Sequence, residues 1–363
     1  MKTWLETRDV LDRLAECRRR GARAALATVV RVRGSAYRHE GAKLLVCEDG
    51  TTAGNVSGGC LEQDVREVAL RVIRTGAPER PSYCSSADAI AAWDLGVGCE
   101  GQVDLYVEPA LAPRPRERAL LDGRVPFAVC TLLAGPGEAA REQRLVVTPA
   151  GTEGGLGSAG LDARAAARAR ELLDTGAAGL HDIAGRSVFI DLLLPPPELL
   201  VIGAGEDARP LVRFAAAVGF RVSVVDRRPG LLVPERFPEA ARLVESGGDE
   251  LADRVPLDPA SYAVVMTHNF ADDQAYLRPL VNSAVAYIGI LGPRQRTERI
   301  LHELGARGPI DEGRVYGPVG LDVGTDGAEQ VALAVIAEIL ALRSGRGARS
   351  LRERLAPIHA TTD

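Results

Sequence analysis

The run Leu199-Leu200-Val201-Ile202 stops abruptly at Gly203-Ala204-Gly205-Glu206-Asp207-Ala208, and no other stretch constrains the fold as tightly. A buried apolar strand that breaks into GxGxxA opens a strand–turn–helix unit of a parallel sheet. The glycines allow a sharp turn and a close approach of helix, strand and ligand. A helix is expected from about Asp207 to Val218, closed by Gly219. A second strand, Arg221-Val222-Ser223-Val224-Val225, then ends in Asp226, 21 residues after Gly205. That is near the distance at which a carboxylate meets a ribose in dinucleotide-binding folds. Arg227 and Arg228 leave room for a 2′-phosphate, so NAD and NADP are not separated. Glu206 and Asp207 put two acids where a pyrophosphate would approach the helix.

Two more strands follow, Ala263-Val264-Val265-Met266 and Val285-Ala286-Tyr287-Ile288-Gly289-Ile290. In open α/β sheets ligands bind at the carboxyl ends of strands. The first strand delivers Thr267, His268 and Asn269 there, with Asp272 and Asp273 behind. The second delivers Gly292, Pro293, Arg294, Arg296 and Thr297. His268 suits a general acid/base or a ligand contact. After Gly317-Pro318-Val319-Gly320-Leu321-Asp322-Val323-Gly324, Asp326 and Glu329 suit the N-cap and N3 positions of a long final helix. A Rossmann-like domain is therefore expected over residues 198–344, with a tail over 345–363. Pro195-Pro196-Pro197 forms a stiff break before it.

The first half, residues 1–193, reads as one α/β domain with a degenerate internal repeat, about 22–77 and 124–177. Ala25-Leu26-Ala27-Thr28-Val29-Val30 sits beside Phe127-Ala128-Val129-Cys130-Thr131-Leu132, and Lys43-Leu44-Leu45-Val46 beside Arg144-Leu145-Val146-Val147. Gly54, Ser57 and Gly59 match Gly155, Ser158 and Gly160. From Leu61 and Leu161 the register holds at an offset of 100. Leu61, Val65, Val68, Ala69 and Val72 form one helical stripe, and Gly76 and Gly176 stand where C-cap glycines belong. In this alignment the second copy lacks Cys60, and also an insertion from Pro78 to Gly101 that contains Cys99.

A scaffold that persists without these two cysteines does not need them for packing. Cys60 follows Ser57-Gly58-Gly59 at the start of a helix, where free N–H groups favour a thiolate or an anionic ligand. Glu62 opposes that effect. Cys17, Cys47, Cys84 and Cys130 read as structural. Arg31, Arg33, Arg38 and His39 flank Gly34-Ser35-Ala36 and suit either an anion site or a solvated loop.

Net charge is −5, which gives no bulk electrostatic case for nucleic acid or an anionic membrane. No apolar run approaches the roughly 20 residues of a membrane span. The N-terminus lacks the apolar core of a signal peptide, so a cytoplasmic protein is expected. Neither a CxxC pair nor an HxxxH spacing supports a metal site. Lys2 and Lys43 are the only lysines; one lies at a chain end expected to be floppy and the other in a strand. Neither suits Schiff-base chemistry with pyridoxal phosphate.

Taken together, the chain resembles the XdhC/CoxI family, accessory proteins of xanthine dehydrogenase and related molybdenum hydroxylases. The resemblance rests on Ala27-Thr28-Val29-Val30 with Gly34-Ser35-Ala36, Ser57-Gly58-Gly59-Cys60-Leu61-Glu62, Gly98-Cys99, Val201 to Gly205, Thr267-His268, Gly289 to Thr297, and Pro318 to Gly324. Two positions depart from the family pattern: Pro293 stands where many members have Ser, and Gly98-Cys99 precedes Glu100-Gly101 rather than a plain glycine pair. The resemblance implies a chaperone that binds molybdenum cofactor (molybdopterin) while a terminal oxo ligand is exchanged for sulfur. The cofactor then passes to xanthine dehydrogenase or a related molybdenum hydroxylase. Sulfur would come from a separate cysteine desulfurase, and a homodimer is expected. Cys60 and Cys99 would contact cofactor or sulfur, and with His268 they are the candidate reactive residues. Ser57, Gly58, Gly59, Gly203, Gly205, Asp226, Thr267, Gly292, Arg294 and Asp322 are the further candidate binding residues. The rival expectation is an NAD(P)-dependent oxidoreductase with His268 as proton donor; a nucleotide-binding sensor is a third.

Overall fold

The computed structural model describes residues 2–34, 36–59, 61–84, 101–134, 143–176, 178–305 and 312–354. The chain divides into two compact units, Lys2–Pro195 and Pro196–Glu353. Among the described residues, no helix is long and apolar enough to cross a membrane.

The first unit is built twice from one plan. α1 (Lys2–Arg19) precedes β1 (Ala24–Gly34), β2 (Lys43–Cys47), β3 (Thr52–Gly54), α2 (Glu62–Thr75), β4 (Ser82–Cys84) and β5 (Gly101–Pro109). α3 (Pro115–Asp122) precedes β6 (Phe127–Leu132), β7 (Arg144–Thr148), β8 (Gly151–Gly155), α4 (Ala159–Thr175), β9 (Gly179–Ile183) and β10 (Arg186–Leu193). The sheets run β3-β2-β1-β5-β4 and β8-β7-β6-β10-β9, antiparallel throughout. Strands β1 and β6 are central and buried on both faces, which is why they read as unbroken apolar runs rather than alternating ones. Lys2 opens α1, so the chain start is helical rather than floppy. Gly76 and Gly176 close α2 and α4 in the left-handed conformation, at φ 69° and 73°.

The structure shifts the alignment of the halves. Ala25, Ala27 and Val29 face α2, while Ala128, Cys130 and Leu132 face α4. Ala25 therefore corresponds to Ala128, not Phe127; a one-residue slip would exchange the faces of the strand. Gly54 and Gly154 are equivalent, since a Cβ at either would sit 2.2 or 2.3 Å from the carbonyl oxygen of Lys43 or Arg144. Buried Val56 and Leu156 continue that offset of 100 to Leu61 and Leu161. By count, the position of Cys60 thus falls opposite Gly160, and the extra residue of the first half lies in the β2–β3 turn. Strand β4 has β9 as its counterpart, so the insertion begins after Cys84 and not at Pro78.

The second unit is a six-stranded sheet, ordered β13-β12-β11-β14-β15-β16 and parallel throughout. Its elements are β11 (Glu198–Ile202), α5 (Ala208–Ala217), β12 (Arg221–Asp226), β13 (Arg242–Glu245), α6 (Leu251–Arg254), β14 (Ser261–Val265), α7 (Phe270–Val281), β15 (Tyr287–Ile290), α8 (Arg294–Gly305), β16 (Val315–Tyr316) and α9 (Ala328–Arg343). One face packs on α5 and α9, the other on α6, α7 and α8. This is a Rossmann-like sheet whose switch point lies between β11 and β14. The cap of α9 is Gly327, not Asp326. Gln330 takes the N3 place and returns its side-chain oxygen to the Asp326 N–H at 2.7 Å, so the capping pattern starts one residue later than the sequence suggested. Residues 345–354 carry a short 3-10 turn, Leu351–Glu353.

Candidate functional site

In the first unit the Ser57 turn is preassembled. The Ser57 Oγ accepts the N–H groups of Gly59 at 3.0 Å and Leu61 at 3.1 Å, and donates to Glu62. The Glu62 carboxylate also accepts the N–H of Ser57 at 2.8 Å and of Val56 at 3.3 Å. Burial pushes the Glu62 pKa up, but these hydrogen bonds outweigh it and hold the group below its ordinary value. In the second half Asp162 stands in the place of Glu62 and accepts the Leu156 N–H at 2.6 Å. Gly59 is left-handed at φ 116°, and among the described residues beyond its chain neighbours nothing lies within 4 Å of where a Cβ would stand. Gly58 lies against the ring of Tyr37. Cys60 and Cys99 lie outside the described residues, as does Ser35. Of the flanking arginines, Arg38 is tied to Glu6 and Arg33 reaches Gln102 at 3.5 Å.

In the second unit, the carboxyl ends of β11, β12 and β14 bring Gly203, Gly205, Asp226, Thr267 and His268 together. Gly203 has φ 114°, and a Cβ there would sit 2.5 Å from the Met266 carbonyl oxygen; the turn can approach β14 only with glycine. A Cβ on Gly205 would meet the Asp207 carboxylate at 2.6 Å. Asp226, 3% exposed, is fully engaged by the protein itself. Its Oδ2 accepts the Ala204 N–H at 2.8 Å and Arg228 Nη2 at 2.8 Å. Its Oδ1 accepts the Arg228 N–H and Nε, both at 2.9 Å. Four bonds fill the four lone-pair sites of a carboxylate. Burial works to raise the Asp226 pKa, yet the bonds from Arg228 and Ala204 prevail and lower it.

His268 carries φ 60°, an unusual conformation for a residue other than glycine. Its Nε2 lies 2.6 Å from Asp207 Oδ2, so the pair spans the switch point. Thr267 donates its hydroxyl to Asp273 at 2.5 Å. Asp273 is fully buried and also held by Arg296. Glu206 turns outward to Arg209 and Arg236, both at 2.8 Å. It borders a cavity of about 620 Å³ whose wall carries Glu206, Asp207, Glu235, Glu239 and Glu329 against Arg209, Arg213 and Arg236.

The other candidates sit apart from this cluster in sequence and strand position. Gly292, at φ 137°, and Arg294 lead from β15 into α8. Asp322 lies on an exposed segment after β16. That segment is anchored by Glu338, which accepts the Gly320 N–H at 3.1 Å and the Tyr287 hydroxyl at 2.5 Å. The sequence signalled Thr267, His268 and Arg296 as strand-end residues and Asp207 and Asp273 as nearby acids, but not that Asp207 pairs with His268 or that Asp273 holds Thr267 and Arg296; Glu338 went unmarked. Tyr37 was missed altogether, because nothing local marks an aromatic residue that rests on a glycine turn some 20 residues away.

Known proteins resemble the chain along nearly its whole length. The XdhC Rossmann domain model matches residues 199–339, and the XdhC and CoxI family model matches residues 17–83 and 120–184, which fall in the two halves of the repeat. A protein of Bacillus subtilis named as a probable xanthine dehydrogenase component is 31% identical over 88% of this chain and 93% of its own length. The molybdenum cofactor insertion chaperone PaoD of Escherichia coli is 25% identical, over 93% of this chain and 88% of its own. A crystal structure described as a xanthine dehydrogenase from Bacillus halodurans superposes with a TM-score of 0.77 at 30% identity, covering 94% of this chain and 98% of that one. With both units matched, the chain belongs to the XdhC and CoxI family.

Proposed function

We propose that this chain is a molybdenum cofactor accessory protein. It holds the cofactor while a terminal oxo ligand is replaced by sulfur, then delivers it to xanthine dehydrogenase or a related molybdenum hydroxylase, with a cysteine desulfurase as the sulfur source. The observation that carries this reading is the end-to-end similarity to a cofactor insertion chaperone, alongside the family match in both units. The first unit fits such a ligand. Ser57 and Glu62 hold the Gly58-Gly59 turn ready, and among the described residues beyond its chain neighbours nothing lies within 4 Å of where a Cβ on Gly59 would stand. Cys60, which follows that turn, and Cys99 are the thiols that would contact cofactor or sulfur. The bound cofactor would supply the molybdenum centre; the chain's part is to bind it, orient it and shield it. Lys43 is enclosed by Asp191, Gly41 and Thr7, which agrees with sulfur being mobilised by a separate enzyme.

The rival reading as an NAD(P)-dependent oxidoreductase has less support. A ribose hydroxyl would find every lone pair of Asp226 in use, and a pyrophosphate would meet Glu206 and Asp207 at the start of α5.

The test is co-expression with cofactor synthesis, denaturing release and mass spectrometry of bound ligand, with activation of an apo-hydroxylase measured in parallel. Bound pterin is expected, and loss of activation in Cys60→Ala. If the wild-type chain carries no pterin and has no effect on any molybdenum hydroxylase, the reading is wrong.

A further inference from the structure

We propose that Tyr37 is a stacking platform for the pterin ring beside the Ser57-Gly58-Gly59 turn; this rests on the accessory function proposed above. Three observations carry it. First, Tyr37 is 67% exposed, although the residues on either side of it are pinned. Ala36 is buried in the core that packs on α2, and the Arg38 guanidinium is bonded to Glu6, with Nη1 at 3.1 Å from Oε1. Tyr37 thus stands between two anchored neighbours with its aromatic surface open to a ligand.

Second, the ring lies on the glycine turn. A Cβ at Gly58 would stand 3.4 Å from Tyr37 Cγ and 3.6 Å from Cδ1 and Cδ2. The ring therefore occupies the space that a side chain at position 58 would take, and glycine there leaves that space to it. Third, the next residue, Gly59, is left-handed, and among the described residues beyond its chain neighbours nothing stands within 4 Å of where its Cβ would be. An exposed aromatic ring beside a glycine turn that Ser57 and Glu62 hold in shape suits a flat bicyclic heterocycle, which gains stacking on the ring while the glycines leave room for its edge. A tyrosine has few rotors to freeze when it takes such a partner.

The experiment uses the full chain and pterin-6-carboxylate as a fluorescent probe, titrated against wild type, Tyr37→Phe and Tyr37→Leu. Thermal melts confirm that the variants fold. Tyr37→Phe keeps the ring and should bind within about two-fold of wild type, whereas Tyr37→Leu should bind roughly ten-fold more weakly. The pterin retained after co-expression should fall in the same order. Equal binding by wild type and Tyr37→Leu overturns the platform and leaves the accessory function standing. No pterin binding by wild type, either as probe or as retained cofactor, overturns both.

Discussion

Lys43 Nζ lies 2.5 Å from Asp191 Oδ2, with both side chains buried, and the residues belong to opposite halves of the repeat. The reciprocal pair is Arg144 and Glu108, at 3.0 Å. Lys43 and Arg144 hold equivalent places on β2 and β7, opposite Thr28 and Thr131, and Glu108 and Asp191 hold equivalent places on β5 and β10. Each half therefore supplies the cation for the other's carboxylate. Around the pairs, Val30 and Tyr106 meet Leu133 and Phe189. The two sheets are joined through a charged, pseudo-symmetric layer rather than a purely apolar one.

Breaking one such pair leaves an uncompensated buried charge. Lys43→Met should destabilise the first unit by about 3–5 kcal/mol, and Asp191→Leu by a similar amount. The double variant should recover much of the loss, because no charge is left stranded. Urea unfolding of the four proteins checks this; additive losses would contradict it.

Asp226 binds its proton more weakly in the folded chain than in the unfolded one. Its contribution to stability is therefore present above the unfolded carboxylate pKa of about 4 and is lost as pH falls through the lower folded value. Asp226→Asn should cost about 1–3 kcal/mol at pH 7 and flatten the loss of stability between about pH 5 and 3. Denaturant midpoints measured across that range decide the matter.

Gly54→Ala and Gly154→Ala should be severe and alike, since each added methyl meets a main-chain oxygen at 2.2 or 2.3 Å. Gly59→Ala adds only the strain of a left-handed alanine, about 1–2 kcal/mol, in a place with room for the methyl. Thermal melts should rank Gly59→Ala well above the other two.

NADH and NADPH should show no saturable binding below about 1 mM. The carboxylate that would read the ribose is filled by Ala204 and Arg228, and the acids at the start of α5 repel a pyrophosphate. Micromolar binding in a fluorescence titration would revive the oxidoreductase reading.

The Rossmann unit was legible because its marks are local. Strand, glycine turn, helix and terminal acid follow one another within about 30 residues, each element shaped by its own backbone preferences. The C-cap glycines and the α2 stripe were legible for the same reason. The short strands β4, β9, β13 and β16 were not, since two to five residues carry too little periodicity to stand out. The alignment of the repeat slipped by one residue for a related reason: β1 and β6 are apolar on both faces, so only the contacts with α2 and α4 reveal which side is which.

By itself, the sequence determined that the chain holds a duplicated α/β half and a parallel Rossmann-like sheet, because turn chemistry and apolar period act between near neighbours. Only the tertiary structure decided which distant side chains those patterns serve. Lys43 finds Asp191 across 148 residues, Asp226 turns inward to Ala204, and Tyr37 settles on Gly58. Such pairings depend on which faces the packed sheets and turns bring together, and residue spacing along the chain carries no record of that.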